Sequence, residues 1–429
     1  MPCAYVYIIR CRGGSLYTGI ARSVCRRLRQ HAEKSPACAK YTRSHPVEAL
    51  EGLWRAPDLA SAARMEYAVK RLPREKKLLL LREPERLGAL LPTLAAEEYT
   101  HQPGVWRCVW RDSTMNDKQL YAAPMEGLTG WLWRRVHHEL FGGADKYFTP
   151  FLSPNANHSF QAKERDEIEP AHNEGLPVVP QILTNSSEHF IWCARELHAR
   201  GYGEVNLNLG CPSGTVTGKR KGSGLLAFPD ELDRLLGEIF TALPELRISV
   251  KTRIGKLDPA EWEHLLSIYN RYPIAELIVH PRVQKEFYKG RSHRDVFAWT
   301  LGQTQLPLCE SGDLFTPRLL LSSPAPAAMA GRGLIADPAL LRRTRGGAPA
   351  SREELLALHD RLFEGYRERL SGDQPVLHRM RELWNYLSLS FVGAQPGLKA
   401  IRKAKICTAY APAAREILTN CPLREVAEE

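Results

Sequence analysis

The sequence predicts an α/β protein, a (β/α)8 (TIM) barrel with a C-terminal helical domain, preceded by a small α+β domain. Three observations carry this. Eight short apolar runs alternate with longer helical stretches between residues 119 and 330, the signature of a parallel barrel. Several of those runs close on a polar or glycine-rich cluster, and a barrel of this kind builds its active site at the carboxyl ends of its strands. The remaining residues, in front of the barrel and behind it, follow different patterns.

The front comes first. Residues 4–10 and 15–20 read as two strands around the Arg12-Gly-Gly14 turn, a hairpin signal. A helix is expected from Ser23, a strand near Ala49–Arg55, and a helix from Asp58 into the 70s. Residues 92–116 lack a sustained period. The predicted divisions are a front domain over 1–92, a linker over 93–116, the barrel over 117–348 and a helical domain over 349–429.

The expected barrel strands are 119–123, 147–151, 178–183, 204–209, 246–252, 275–280, 306–309 and 327–330, with a helix beginning near Pro338 after the last. Beyond Pro349 the pattern is helical, opened by the capping box Ser351-Arg-Glu-Glu354. Its later part, Lys399–Lys405, sets Lys399, Arg402 and Lys403 on one face.

With 44% hydrophobic and 25% charged residues, the composition is that of a globular protein. The longest apolar runs are far short of a membrane span and the N-terminus has no leader pattern, so a soluble, cytoplasmic monomer is expected. Ten cysteines without a C-x-x-C pair indicate neither a zinc site nor a disulfide framework. Residues 1–92 hold 18 Lys and Arg against 8 Asp and Glu, which is +10 of the net +11, and mark the front domain as a surface for phosphates.

Chemistry concentrates at the expected strand ends. Ala123-Pro124-Met125-Glu126-Gly127 can lie against a flat ring, and Gln181 can donate to and accept from a ring edge. Asn208 and Cys211 flank Gly210 in Asn206-Leu-Asn-Leu-Gly-Cys-Pro212, where the thiol is either an inert filler or a proton donor. The basic, glycine-rich loop Lys219-Arg-Lys-Gly222-Ser-Gly224 favours the second. Lys251 and Arg253 can both face the mouth only if Arg253 lies just past its strand, and a buried lysine calls for an electron-rich partner. His280-Pro-Arg282 repeats the pattern, while Ser311-Gly312-Asp313 and Gly331-Arg332-Gly333 can bring backbone amides close to a phosphate.

On these motifs, residues 117–429 resemble the tRNA-dihydrouridine synthases, FMN-dependent barrels with a helical C-terminal domain. The resemblance implies that flavin, reduced by NADPH, passes hydride to C6 of a uracil while Cys211 protonates C5 and Asn208 holds the uracil edge. It implies an FMN site lined by Pro124, Met125, Glu126, Gln181, Lys251, His280, Ser311, Gly312, Asp313, Gly331 and Arg332. Ser311 departs from the family, which usually has Asn there; serine reaches less far. tRNA is the implied partner, with 219–221 and 399–405 as phosphate contacts.

The front domain is similar to the GIY-YIG nuclease superfamily through Tyr5-Val-Tyr7, Tyr17-Thr-Gly19, Arg27, His31 and Glu66. That resemblance implies phosphodiester cleavage, with Glu66 holding Mg or another divalent ion, a tyrosine as general base and Arg27 clamping the phosphate. Two other readings stand beside these: a flavoenzyme of a small metabolite, like a dihydroorotate dehydrogenase, and a nucleic-acid-binding fusion with neither site active.

Overall fold

The computed structural model describes residues 4–22, 24, 27, 28, 31, 39–45, 47–101 and 118–424. The chain divides into two compact units, Met1–Thr114 and Met115–Glu429.

In the first unit, β1 (Ala4–Cys11) and β2 (Leu16–Ala21) form the expected hairpin, with Gly13 and Gly14 at positive φ in its turn. Strand β3 (Val47–Ala56) pairs with the other edge of β1, and the antiparallel order is β2-β1-β3-β4. Because side chains alternate across a strand, Val6 and Ile8 bury on one face with Trp54, Met65 and Val69. Tyr7 and Ile9 bury on the other with Leu28, Leu50 and Leu53. Of the helix expected from Ser23, residues 24, 27, 28 and 31 are described, all helical, and the others lie outside the described residues.

The helix expected from Asp58 into the 70s runs Leu59–Arg71, and a second helix, not read from the sequence, follows at Arg74–Arg82, because Pro73 between them has no N–H to continue the first. One local expectation is corrected. Residues 93–101, expected as linker, pack on this unit instead: β4 (Thr100–His101) pairs with Trp54 and Arg55, and buried Tyr99 donates to the Ser61 carbonyl at 3.0 Å.

The second unit is a parallel barrel. Its strands are β5 (Gln119–Ala122), β6 (Lys146–Phe148), β7 (Val178–Val179), β8 (Gln181–Ile182), β9 (Glu204–Leu209), β10 (Arg247–Arg253), β11 (Leu277–His280), β12 (Leu308–Ser311) and β13 (Ala327–Ala330). Pro180 splits one strand into β7 and β8; counting those as one gives the eight of the sequence reading, and β7 and β8 are the two ends of the sheet order. Register brings neighbours level: Gln181 with Asn206, Asn208 with Lys251, and Arg253 with His280. Strand β10 runs through Arg253, so Lys251 and Arg253 share a face two residues apart and neither has to leave the strand.

The helix expected near Pro338 begins at Leu340, and another, not expected, precedes it at Arg332 directly after Gly331. Four C-terminal helices, α1 (Arg352–Arg369), α2 (Asp373–Leu387), α3 (Gln395–Lys403) and α4 (Cys407–Asn420), share one apolar core with the barrel. The Ser351 capping box opens α1. Buried Tyr410 ties the bundle together, accepting from Trp384 Nε1 at 2.8 Å and meeting His359 Nε2 at 2.7 Å. Among the described residues, no helix is long and apolar enough to cross a membrane.

Candidate functional site

A cavity of about 340 Å³ opens at the carboxyl ends of the barrel strands. It brings together Pro124, Met125, Glu126, Gln181, Asn208, Cys211, Lys251 and His280, eight of the residues singled out from the sequence. Arg253 and Tyr288 also line it, as do Glu382, Asn385 and Tyr386 from α2.

Parallel register and alternation set four polar side chains in a row. Asn208 Nδ2 donates to Gln181 Oε1 at 2.7 Å, Gln181 Nε2 to Asn206 Oδ1 at 2.8 Å, and Asn206 Nδ2 to Ser249 Oγ at 2.9 Å. The direction of this chain is fixed, because Asn208 Oδ1 also accepts from the backbone amides of Gly210 and Cys211, both at 3.0 Å, and an amide can only donate. Asn208 therefore holds the loop that carries Cys211, and a remaining Nδ2–H is what it can offer a ligand.

Arg253 fastens the same loop from the other side, donating from Nε to the Gly210 carbonyl at 3.0 Å and from Nη1 and Nη2 to the carbonyls of Val283 and Phe287 at 3.1 and 2.8 Å. Lys251, by contrast, makes no hydrogen bond or ion pair among the described residues. Burial, then the Arg253 guanidinium, push its ammonium down to about 8. His280 is held neutral, first by burial and then by the Arg253, Lys251, Arg282 and Arg332 charges around it. Since Arg282 Nη1 can only donate, His280 Nε2 accepts at 3.1 Å and Nδ1 carries the ring proton.

Ser311, Gly312, Asp313, Gly331 and Arg332 lie beside this cavity rather than along its wall. A Cβ at Gly312, whose φ is +102°, would come within 2.6 Å of the His280 ring. At Gly331 a Cβ would sit 3.4 Å from Ala123 and 3.6 Å from the Met125 sulfur, so the glycine keeps that approach open. Asp313 adopts φ 54° and bridges two guanidiniums, Arg282 and, at 2.6 Å, Arg332. Arg332 stands 4.7 Å from the Tyr288 ring centre and 5.3 Å from that of Phe315. Its charge is thus shared with a carboxylate and two rings.

An electron-rich planar group fits this arrangement on the structure's own terms: a half-buried ammonium lacks a partner, two carboxamides retain donors, and glycines leave room for contact with the backbone. Cys211 is the partly exposed thiol here, and burial raises it despite the lowering effects of the Ser213 amide, Arg253 and Lys251.

In the front unit, Tyr7 and Gly19 are level across β1 and β2, and the absent Cβ of Gly19 is what admits the Tyr7 hydroxyl, which it would meet at 2.4 Å. Tyr7 Oη lies 2.8 Å from His31 Nε2, and His31 Nδ1 lies 2.7 Å from Thr42 Oγ1. Thr42 spends its proton on the Ala39 carbonyl at 3.0 Å, so it accepts from His31 Nδ1 and leaves Nε2 to accept from Tyr7. Burial, then Arg27, lower His31 to about 4, while burial raises Tyr7 against the opposing pull of Arg27. Tyr17 closes the group, 5.5 Å from the His31 ring.

Glu66 accepts from Lys70 at 2.8 Å, so a divalent ion there would displace that ammonium. Among the described residues, no group of three or more His, Cys, Asp or Glu is placed to hold a metal. A larger open hollow of about 540 Å³, lined by Trp54, Tyr99 and His101, contains none of the candidate residues.

With this geometry in place, comparison with known families is decisive: the dihydrouridine synthase (Dus) family matches residues 121–399. The chain belongs to that family. Its members are flavin oxidoreductases. The GIY-YIG catalytic domain matches residues 3–78, so the synthase is fused behind a GIY-YIG domain. A tRNA-dihydrouridine(16) synthase of Cupriavidus necator is 28% identical over 307 residues, 66% of this chain and 92% of that protein. A probable tRNA-dihydrouridine synthase of Staphylococcus epidermidis is 28% identical over 328 residues, covering 73% and 96% respectively. For the front unit, a solved UPF0213 protein of Bacillus halodurans is 43% identical, covering 19% of this chain and 83% of that one, with a TM-score of 0.13.

Sequence reasoning missed part of the synthase cavity. Tyr288 sits in a loop without periodicity, and Glu382, Asn385 and Tyr386 occupy the i, i+3, i+4 face of a helix whose buried residues include Leu383, Trp384 and Leu387. Thr42 gave no signal, because its role depends on contact with His31.

Proposed function

We propose that the synthase unit reduces a uridine of tRNA to 5,6-dihydrouridine, using FMN reduced by NADPH. The observation that carries this reading is the sharing of one cavity by the Cys211 thiol, the partnerless Lys251 ammonium, neutral His280 and the Gln181–Asn208 donors. FMN, when bound, supplies the hydride that reaches C6 of the uracil. Lys251 and His280 would hold its electron-rich edge, Gln181 would donate to the ring, Pro124, Met125 and Glu126 would wall it, and amides around Gly312 and Gly331 would receive its phosphate beside Ser311, Asp313 and Arg332. Cys211 delivers a proton to C5, and Asn208 sets the loop that aims it while offering one N–H to the pyrimidine.

The exposed Lys399, Arg402, Lys403 and Lys405 and the loop at Lys219 and Arg220 supply cations for tRNA phosphates. Arg220 is partly committed to Glu231 at 2.8 Å. The protein acts in the cytoplasm as a monomer.

Purified protein should be yellow, and NADPH should bleach it. tRNA from a strain lacking the gene should lose dihydrouridine at one position, with position 16 read first, and the Cys211→Ala variant should fail to restore it. A colourless protein that takes up no FMN, or tRNA unchanged in the deletion strain, would overturn the reading.

For the front unit, the hydrogen-bonded series Tyr7, His31, Thr42 favours cleavage of a phosphodiester. Neutral His31 accepts the Tyr7 hydrogen bond and orients the phenol oxygen, Arg27 faces the phosphate, and Glu66 would hold the divalent ion. Metal-dependent nicking that disappears in Glu66→Ala supports this; nicking that persists rejects it.

A further inference from the structure

Three large exposed rings gather around the Arg253 and Arg332 guanidiniums, Phe287 at 46%, Tyr288 at 52% and Phe315 at 41%, and Tyr288 among them lines the synthase cavity. They are not scattered surface residues. The Arg332 guanidinium lies over both Tyr288 and Phe315, at 4.7 and 5.3 Å, and the Arg253 guanidinium stands 5.4 Å from Tyr288. Phe287 holds a φ of 52°, a left-handed conformation that bulky side chains seldom adopt, and Arg253 Nη2 secures its carbonyl there at 2.8 Å. The loop is braced again by Glu286, which accepts from the Val283 amide at 2.8 Å and meets His293 Nε2 at 2.8 Å. A conformation so constrained presents a phenyl ring to solvent beside a ring that lines the cavity.

Exposed aromatics backed by guanidiniums are the surface on which unpaired RNA bases stack, because every base offers a π-face and every phosphate a negative charge. We infer that Phe287 and Phe315 form, with the outer edge of Tyr288, a platform that receives a base flanking the uridine turned into the cavity. Turning a nucleotide out of its stack costs the contacts it shared with its neighbours, and the platform replaces part of what the neighbour loses. This rests on the reading that a uridine enters the cavity.

The test compares wild type with Phe287→Gly, which relieves the left-handed strain while removing the ring, and with Phe315→Ala. Each should lower kcat/KM for a tRNA transcript by roughly 5- to 150-fold, the range for one stacked base. FMN absorbance and NADPH oxidation without RNA should not change. Phe287→Tyr and Phe315→Tyr should restore the rate. On an RNA carrying abasic residues on both sides of the reducible uridine, wild type should fall to the level of the ring-less variants, and those variants should fall no further.

Ring-less variants that match wild type on intact tRNA overturn the platform, as does a loss that persists undiminished on the abasic RNA or is not rescued by tyrosine. A wild-type protein that binds FMN yet forms no dihydrouridine overturns the synthase reading itself, which separates the two failures.

Discussion

Replacing Asn208 by alanine removes three hydrogen bonds at once: the two loop amides that its Oδ1 accepts at 3.0 Å and the 2.7 Å contact to Gln181. At about 1 kcal/mol for each neutral bond, the loss is about 3 kcal/mol. For a unit of this size, Met115–Glu429, that lowers the melting temperature by about 5 °C. The same change frees the Gly210–Cys211 loop, and a thiol displaced by even about 1 Å should cut uridine reduction about 100-fold. Aspartate provides the control. It still accepts both amides, and its second oxygen is met by a flipped Gln181, which flips Asn206 in turn; the Ser249 hydroxyl then donates to Asn206 and gives up only its 3.4 Å contact with the Val205 carbonyl. Asn208→Asp should therefore melt near wild type while binding FMN less tightly, because it adds a negative charge beside the site of an electron-rich ring. Thermal melts of the FMN-loaded protein and dihydrouridine formation at neutral pH decide the matter. An alanine variant that melts and turns over like wild type would refute the assignment of Asn208 as the residue that holds the loop.

Further outcomes are expected. Lys251 is charged below about 8 and neutral above it, so FMN affinity, measured by fluorescence quenching, should weaken as pH rises through that value, and Lys251→Met should bind weakly with a flat profile. Gly19→Ala would place a methyl group 2.4 Å from the Tyr7 hydroxyl, and should abolish any nuclease activity while leaving uridine reduction intact in the same preparation. With FMN kept saturating, single-turnover uridine reduction should hold through neutral pH and decline only on the alkaline side, above the ordinary thiol range; a rate that climbs with pH would remove Cys211 from the acid role.

The barrel was legible because the strands are short apolar runs, several of them ended by a polar or glycine cluster, and even Pro180, which interrupts a strand in the structure, falls inside a run read as one element. Where the reading failed, local pattern and pairing disagreed. Thr100 and His101 carry no strand signal and become a strand only against Trp54 and Arg55. The helix Arg74–Arg82 beyond Pro73 went unread because its unbroken leucine run, Leu78–Leu81, shows no helical period. In the site, eight candidates meet in one cavity because parallel register sets strand ends level. What stayed hidden is the wall supplied by Glu382, Asn385 and Tyr386, since a helix face far along the chain reveals its partner only after folding. Arg253 was visible as a motif residue but not as the tie between Gly210, Val283 and Phe287.

Cys211 shows how competing effects select a chemistry. A thiol near cations usually acidifies toward a thiolate, the form needed by a nucleophile or a base. Here Arg253, Lys251 and the Ser213 amide all pull downward, yet burial is the largest influence and the net direction is upward, aided slightly by Glu126. Burial alone does not suffice: Cys309 is raised further but is wholly enclosed and meets no ligand. Cys211 combines a retained proton with access to the cavity, which suits a proton donor and disfavours the cysteine base of a dihydroorotate dehydrogenase-like reaction. The same neighbouring charges act differently on His280, where burial and repulsion point the same way and keep the ring neutral. One set of cations thus leaves an imidazole without charge and a thiol with its proton, because desolvation dominates at both positions and opposes ionisation whichever sign the charge would have.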